Sequence, residues 1–429
     1  MKMKKVAFYL ENASISSVDC SGILQGNPGI GGTQYMIILI SYLLWLRNNG
    51  LEVKTYSTSK GLFPVGYDYS IVRNFNEAVD KACDEGFDCL IFRHDADLIT
   101  SGALDGVDRN IKLIVWDHVF VCYWELDYYA SNPQVYKIIN VSREQTDLYR
   151  DHKAFEKSFY IYNCLNLEGT REMVLGNPFE KRKNVVTYVG SLVPYKGFHL
   201  LAQAWPIILR QVPDAELYVI GSGRLYDKNV KLGRFGIAES SYEEQFMHYL
   251  CKDDEILPSV HFMGDMGVEK NKILLQTKVG VPNPSGITET FCISAVEMQA
   301  MGAVVTTINF PGFMDTVKNG LLYKSTANLA KSIIHLLKYG KSDYDNAMNL
   351  FQKNFSINAV VEKWESFLVF NNVVEDRRIY NILYRFKWLK ELRRRISAFF
   401  PWLFKFPPLE RLIIFSERVF FGHRTYIDL

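Results

Sequence analysis

Short runs of β-branched and apolar residues alternate with helical segments along most of this chain, and that alternation restricts the fold more than any other feature. Such a rhythm is typical of βαβ units with a parallel sheet. Residues 6–10, 53–56, 89–93, 111–116 and 136–141 are the first set of predicted strands. After a polar stretch at 167–184, the rhythm restarts with residues 185–189, 215–220, 260–263, 279–282 and 303–307.

The pattern therefore predicts an α/β protein with two facing Rossmann-like, doubly wound domains. We place the first at residues 1–175 and the second at 176–370, followed by a basic, aromatic helical tail at 371–429. Ligands of open α/β sheets bind beyond the carboxyl ends of the strands, so we expect a binding cleft between the two domains.

Composition excludes several classes of protein. The formal net charge of +2 lacks the strong basic bias of nucleic-acid-binding proteins, so we expect no nucleic-acid partner. The seven cysteines are scattered without a CxxC pair, which favours a reducing, cytoplasmic setting. No signal peptide is expected, and the longest apolar run, residues 35–46, is too short to span a bilayer.

The most informative stretch is residues 282–302, PNPSGITETFCISAVEMQAMG. A strand ends at Pro282, a loop carries Glu289, and a helix is predicted from near Thr290 to Met301. The first turn of that helix offers free backbone N–H groups and a positive dipole end, which suit a diphosphate. The candidate donor-binding positions of this stretch are Glu289, Thr290, Phe291, Cys292, Ile293 and Glu297.

This stretch resembles the signature of the retaining glycosyltransferases of family 4, which have the GT-B fold. In that signature a loop Pro-Ser precedes one Glu, and a second Glu follows after seven residues. The resemblance implies that Glu289 faces the hydroxyls of the donor sugar and that Glu297 binds the ribose. The alternative is that both are ordinary solvated helix glutamates.

A second element, residues 188–197 (YVGSLVPYKG), resembles the family's G-R-L-x-x-x-K-G motif. The resemblance implies that Lys196 binds the leaving diphosphate. The family's arginine is absent, because Ser191 stands in its place. Arg224, which follows a glycine-rich strand end, is a candidate to compensate, although a surface arginine is the simpler interpretation.

A third element is the glycine-rich loop at residues 28–34, which lets a ligand approach the backbone closely. It resembles the family's Gly-Gly loop, so Gly31 and Gly32 are donor-site candidates, against a purely structural turn. His118, after the strand 111–116, matches a histidine that reaches the donor sugar in the family. A structural histidine is its alternative.

Residues 93–97, RHDAD, follow another predicted strand and are expected to line the cleft. Asp95 and Asp97 also form the Asp-x-Asp pattern of metal-dependent, single-domain glycosyltransferases. That interpretation would leave the second domain without a role. We therefore expect neither a metal nor a cofactor, and the substrate would be a UDP- or GDP-linked sugar.

Residues 376–429 carry 12 Lys or Arg against five Asp or Glu, with aromatic residues between them. Ile379, Ile382, Leu383, Phe386 and Leu389 recur at helical spacing, which predicts a basic amphipathic helix. Residues 377–406 are a candidate contact with an anionic membrane, and Arg393–Arg395 with residues 399–402 are its test positions. The alternative is that the tail packs on the domains.

Together these elements predict a metal-independent retaining glycosyltransferase with Glu289, Lys196 and His118 at its centre. We expect it to transfer a sugar to a lipid-linked glycan acceptor of surface polysaccharide synthesis, in the cytoplasm or on the inner face of the cell membrane. Two alternatives are a sugar-nucleotide epimerase or hydrolase and a non-catalytic, transferase-like subunit.

Overall fold

The computed structural model describes residues 4–105, 110–372 and 378–421. Two parallel sheets of seven and six strands form its framework. The strands are β1 Lys4–Leu10, β2 Leu51–Ser57, β3 Tyr69–Ile71, β4 Cys89–Arg93, β5 Lys112–Asp117, β6 Val135–Asn140, β7 Ser158–Tyr160, β8 Val185–Val189, β9 Glu216–Ile220, β10 Cys251–Lys252, β11 Glu255–Ile256, β12 Val260–Gly264, β13 Val279–Gly280, β14 Val304–Ile308 and β15 Gly320–Tyr323.

Helices connect most of these strands. They are α1 Gly32–Arg47, α2 Phe75–Asp84, α3 Ala96–Thr100, α4 Tyr123–Ser131, α5 Arg143–Leu148, α6 Thr170–Gly176, α7 Phe198–Gln211, α8 Ser240–Leu250, α9 Asn271–Leu274, α10 Ile293–Ala300, α11 Pro311–Thr316, α12 Leu329–Tyr339, α13 Tyr344–Asn354, α14 Ile357–Phe370, α15 Lys387–Phe399 and α16 Leu409–Phe421.

The chain divides into two compact units, each built on one large sheet. The first comprises residues 1–16, 36–163 and 360–429, and the second comprises 17–35 and 164–359. This division differs from the contiguous boundaries at residues 175 and 370 expected from the sequence. The glycine-rich loop belongs with the second unit, and the tail belongs with the first.

The first sheet has the order β3-β2-β1-β4-β5-β6-β7, and all its strand pairs are parallel. Its central strand β1 is buried from Val6 to Leu10, as its continuous apolar run predicts for a strand covered on both faces. Trp364 of α14 packs edge-on against Trp116 of β5 in the core of this unit.

The second sheet has the order β12-β9-β8-β13-β14-β15, again parallel throughout. Its core includes the fully buried Trp205 of α7 and Phe246 of α8. The β-α alternation predicted from the sequence is thus confirmed in both units. The strands β3, β7 and β15 and the small hairpin β10–β11 were missed, because each has only two to four residues.

The predicted start was wrong for two helices, one in the tail and one in the motif stretch. The amphipathic helix expected from Ile379 starts only at Lys387, after a short 3-10 turn at Tyr384–Phe386. Helix α10 starts at Ile293 rather than near Thr290. Arg377, the first residue of the candidate membrane segment, lies outside the described residues.

In the described part of the chain, no helix combines the length and the apolar character needed to cross a bilayer.

Candidate functional site

Two loops at the carboxyl ends of strands meet in the second unit. After β8, the chain forms a 3-10 turn at Pro194–Lys196 and passes through Gly197 into α7. Gly197 has φ +68°, and a Cβ there would lie 2.7 Å from the backbone nitrogen of Ser285. Only glycine allows this approach. The two motifs identified in the sequence therefore lie side by side, with the Lys196 turn against the Pro284–Ser285 loop.

Hydrogen bonds fix this junction. The Ser285 hydroxyl donates to the carbonyl of Tyr195 at 2.6 Å. In the same loop, Asn283 Nδ2 donates to the carbonyl of Ile287 and to Oε2 of Glu289, at 3.0 and 2.9 Å. Asn283 thus holds the loop and orients the Glu289 carboxylate. The sequence reasoning missed it, because its partner is defined only by the fold of the loop.

Lys196 and Glu289 form the polar centre of the junction. Lys196 Nζ donates to Glu289 Oε2 at 2.9 Å, and the two side chains keep 15% and 12% of their surface exposed. Burial favours the neutral amine, but the adjacent Glu289 carboxylate outweighs it and raises the pKa of Lys196. The lysine is therefore a permanent cation that remains reachable from solvent.

The start of α10 lies beside the glycine-rich loop. A Cβ on Gly32 would come within 3.4 Å of Ile293 Cδ1, and one on Gly31 would lie 3.9 Å from the ring of Tyr226. The side chains of Phe291 and Cys292 are buried, as is Thr290, so this stretch can offer a ligand chiefly its backbone. Free N–H groups at the first turn of α10 suit an anion.

Because α10 begins four residues after Glu289, Glu289 and Glu297 do not lie on one helix. Only the segment from Ile293 onward is helical. Glu289 is a loop residue held by its own hydrogen bonds, whereas Glu297 projects from the helix.

Glu297 has its own cationic partner. Its Oε1 lies 3.0 Å from Nζ of Lys270, with 16% and 6% of the two side chains exposed. Both line a small cavity together with Tyr35 and Asn166. Lys270 was missed in the sequence, because a lysine after a strand carries no motif of its own.

Two residues bear on the missing family arginine: Ser191, which stands in its place, and Arg224, the candidate to compensate for it. Ser191 is buried, and its hydroxyl donates to the carbonyl of Ser222 at 3.2 Å. Arg224 is exposed, and its Nε donates to the carbonyl of Val230 at 3.2 Å. Ser191 thus bonds to the backbone of the neighbouring loop, and Arg224 bonds within its own loop.

His118 lies in the first unit, at the end of β5, with its ring 4.7 Å from that of Trp116. Burial and the charge of Arg93 lower the pKa of His118 to about 3. It is therefore a neutral imidazole at physiological pH, able to donate one hydrogen bond and accept another.

The Asp-x-Asp pattern has a structural use in the same unit. Asp95 accepts a hydrogen bond from the backbone N–H of Asp97, which caps α3, and it pairs with Arg93 at 3.2 Å. Over the residues that the structure describes, no group of three His, Cys, Asp or Glu side chains is arranged to hold a metal ion.

Both sheets and the motif geometry can now be compared with known proteins. Residues 172–350 match the family model of the glycosyl transferases group 1. The matched region includes the Lys196 turn, Glu289 and α10, and it supports a GT-B glycosyltransferase.

An uncharacterized glycosyltransferase of Haemophilus influenzae is 23% identical over 334 residues, covering 74% of this chain and 86% of that protein. HepE of Anabaena, solved in complex with UDP and glucose, aligns with a TM-score of 0.60 at 15% identity, over 85% of this chain and 99% of HepE. The lipopolysaccharide outer core galactosyltransferase WaaB aligns with a TM-score of 0.56 at 11% identity, over 86% and 99%. These structures establish the GT-B fold of the chain.

Proposed function

We propose that this protein is a retaining, family-4-type glycosyltransferase that moves a sugar from a UDP- or GDP-linked donor to a hydroxyl of a glycan acceptor. The observation that carries the proposal is the partly exposed Lys196–Glu289 pair, with Lys196 on the turn that leads into α7 and Glu289 on the loop that leads into α10. The UDP complex of HepE, a protein of the same fold, supports a nucleotide-sugar donor.

The chemistry of transfer makes a negative charge on the departing diphosphate, and fixed positive groups stabilise that charge. Lys196 supplies a cation, and the first turn of α10 supplies backbone N–H groups. With these groups, no metal ion is needed to balance the diphosphate. We propose that an oxygen of the leaving diphosphate accepts the proton of the acceptor hydroxyl.

We assign the two glutamates different roles. Glu289, oriented by Asn283 and Lys196, accepts hydrogen bonds from hydroxyls of the transferred sugar. Glu297 binds the ribose hydroxyls, with Lys270 holding its carboxylate in place. The role of His118 towards the donor sugar stays a prediction from the resemblance.

For the acceptor we propose a lipid-linked glycan of a surface polysaccharide pathway, handled at the inner face of the cell membrane. The structural likeness to WaaB and the aromatic tail support this choice.

Binding of UDP-, GDP-, ADP- and CMP-sugars by calorimetry, with and without EDTA, tests the donor site. We expect selective, EDTA-insensitive binding that weakens about tenfold or more in Glu297→Ala, since a ribose contact acts in the ground state. Glu289→Ala should bind the donor nearly as well but transfer about 100-fold more slowly. Glu244→Ala, an exposed glutamate of α8, is the matched control.

Equal, negligible effects of both substitutions would contradict the assignment. Binding of none of the donors would favour the non-catalytic subunit. Conversion of the donor without any transfer product would favour an epimerase or hydrolase.

A further inference from the structure

Helix α15 of the tail turns its charged face towards the protein. Lys387 and Lys390 are buried, with 1% and 0% of their surface exposed. Lys387 Nζ lies 2.5 Å from Glu144 and 3.0 Å from Asp147, and Lys390 pairs with Glu410 of α16. Lys387 therefore fastens the tail to the rest of the first unit, and Lys390 joins two helices of the tail, so neither faces a membrane.

The opposite face of α15 is apolar and turned outward. Trp388, Leu392 and Ile396, spaced four residues apart, are 44%, 46% and 40% exposed. Phe399 at the end of the helix is 83% exposed, and Trp402 after it is 55% exposed. This helix is thus oriented opposite to a normal surface helix, which buries its apolar face.

Exposed apolar side chains are concentrated in this part of the molecule. Of 29 exposed large hydrophobic residues among those described, 12 lie between residues 382 and 415. Every exposed phenylalanine among them lies at residue 370 or later. Such a concentration of exposed apolar side chains marks an interaction site rather than chance exposure.

The exposed charges within residues 378–416 have one sign. Between residues 378 and 416, the ionisable side chains in the exposed class are Arg378, Arg395, Lys405 and Arg411. The two acidic residues of the same segment, Glu391 and Glu410, are buried. Hydrogen bonds from Arg394, Arg395 and Arg150 outweigh the effect of burial and lower the pKa of Glu391 to about 2.

We propose that the outward apolar face of residues 382–415 inserts into the interface of an anionic lipid bilayer, with the exposed basic residues at the lipid headgroups. Trp and Phe beside Lys and Arg is the composition that interfacial helices favour. The buried basic residues Lys387 and Lys390 take no part, so apolar insertion supplies most of the affinity, and anionic lipid adds to it.

Charge argues against a second copy of this chain as the occupant. A twofold contact places a surface against itself, so the exposed cations would face the same cations without an exposed acidic partner in residues 378–416. An anionic bilayer complements them instead. The inference rests on the proposed function for the lipid-linked acceptor, but vesicle binding is measured without donor or acceptor, so each can fail separately.

Flotation of the full chain with vesicles tests the proposal. We expect binding to phosphatidylcholine vesicles and stronger binding when they contain phosphatidylglycerol. F399S/W402S should lower the partition coefficient about tenfold or more on both kinds of vesicle, because each change removes a large apolar area that insertion into the bilayer would bury. K405Q/R411Q should lower only the increase in binding that phosphatidylglycerol causes and leave binding to phosphatidylcholine vesicles unchanged. Trp124→Ser, which removes a 50% exposed tryptophan of α4, is the matched control and should bind like the wild type.

A second measurement uses only Trp-to-Phe substitutions, so it does not require the apolar-to-polar variants to fold. Phosphatidylcholine brominated on its acyl chains should quench tryptophan fluorescence of the wild type, and W388F/W402F should lose most of that quenching. Failure of the wild type to bind either vesicle would overturn the proposal. So would quenching unchanged in W388F/W402F, or self-association by light scattering that F399S/W402S abolishes while vesicle binding is unaffected.

Discussion

Two lysine–carboxylate pairs of this protein show how the same chemistry serves different ends. Lys196 and Glu289 in the second unit are 15% and 12% exposed, whereas Lys387 and Glu144 in the first are 1% and 0% exposed. The first pair lies on loops at the carboxyl ends of strands, where a ligand can displace one partner. The second is sealed between α5 and α15, so it can only hold structure.

Accessibility, rather than charge, therefore separates a candidate active-site lysine from a structural one. A buried ion pair adds little net stability, because desolvation offsets the attraction, but removing one partner leaves an uncompensated charge. For the Lys196–Glu289 pair that cost is smaller, because both side chains keep some exposure and Asn283 still donates a hydrogen bond to the Glu289 carboxylate. The following predictions exploit this difference.

Lys387→Met should have the largest effect on stability. It leaves Glu144 and Asp147 buried without this cation, which costs about 3–5 kcal/mol of unfolding free energy. Denaturant unfolding, followed by far-UV circular dichroism, measures the change. The matched control is Arg395→Met, since Arg395 has 72% of its side chain exposed, and it should cost less than about 1 kcal/mol. Equal losses in the two variants would show that the pair around Lys387 has no special structural role.

Lys196→Met should give the reverse pattern. We expect transfer to slow by about 100- to 1,000-fold, because one fixed charge at the departing diphosphate is lost, with a smaller loss of unfolding free energy than in Lys387→Met. Steady-state kinetics with the donor identified by calorimetry measures it. A large loss of stability with normal turnover of the folded fraction would contradict the distinction drawn between the two lysines.

The candidate donor-site loops could be located from the sequence because their geometry is local. A strand, a glycine and a helix start follow one another within about ten residues at Lys196 and at Glu289, so the backbone alone places the groups. The partner residues could not be predicted in the same way. Asn283 and Lys270 acquire their roles from loop conformation and from a neighbouring strand end.

The orientation of the tail was harder to predict, because its partners are about 240 residues away in sequence. Its basic composition was visible, but composition does not tell which way a helix faces. A signal was present: Glu144, Asp147 and Asp151 are spaced three and four apart, as are Lys387, Lys390 and Arg394. In the structure Lys387 contacts both Glu144 and Asp147, but Asp151 pairs with Arg393 and Lys390 with Glu410, so the spacing alone does not give the partners.

Gly197→Ala tests the position of the Lys196 turn, because it shifts that turn without changing any charge. The left-handed backbone and the 2.7 Å approach to Ser285 should together cost about 2–3 kcal/mol of stability and reduce transfer. Gly236→Ala is the control, since Gly236 has φ +72° but open space around its Cβ position. It should cost about 1 kcal/mol and leave transfer unchanged. Similar costs for both would show that the close approach to Ser285 is not required.

The smallest expected effect is on the pH dependence of the unfolding free energy, through a titratable group that is buried in the first unit. The folded-state pKa of His118 is lowered to about 3, below the value of about 6.5 in an unfolded chain. Between these values the unfolded chain binds a proton that the folded chain does not, so the contribution of His118 is complete above pH 6.5 and is lost as pH falls.

His118→Gln should therefore lose less stability than the wild type between pH 7 and pH 5, by about 1–2 kcal/mol. The comparison with the variant is needed because burial raises the pKa of the adjacent Asp117, which acts with the opposite sign. Denaturant unfolding at several pH values measures the difference. His248→Gln, at an exposed position of the second unit, should keep the wild-type pH dependence. If both variants matched the wild type, His118 would be accessible to protons in the folded protein. It would then be a partly accessible group like Lys196 rather than a sealed one like Lys387.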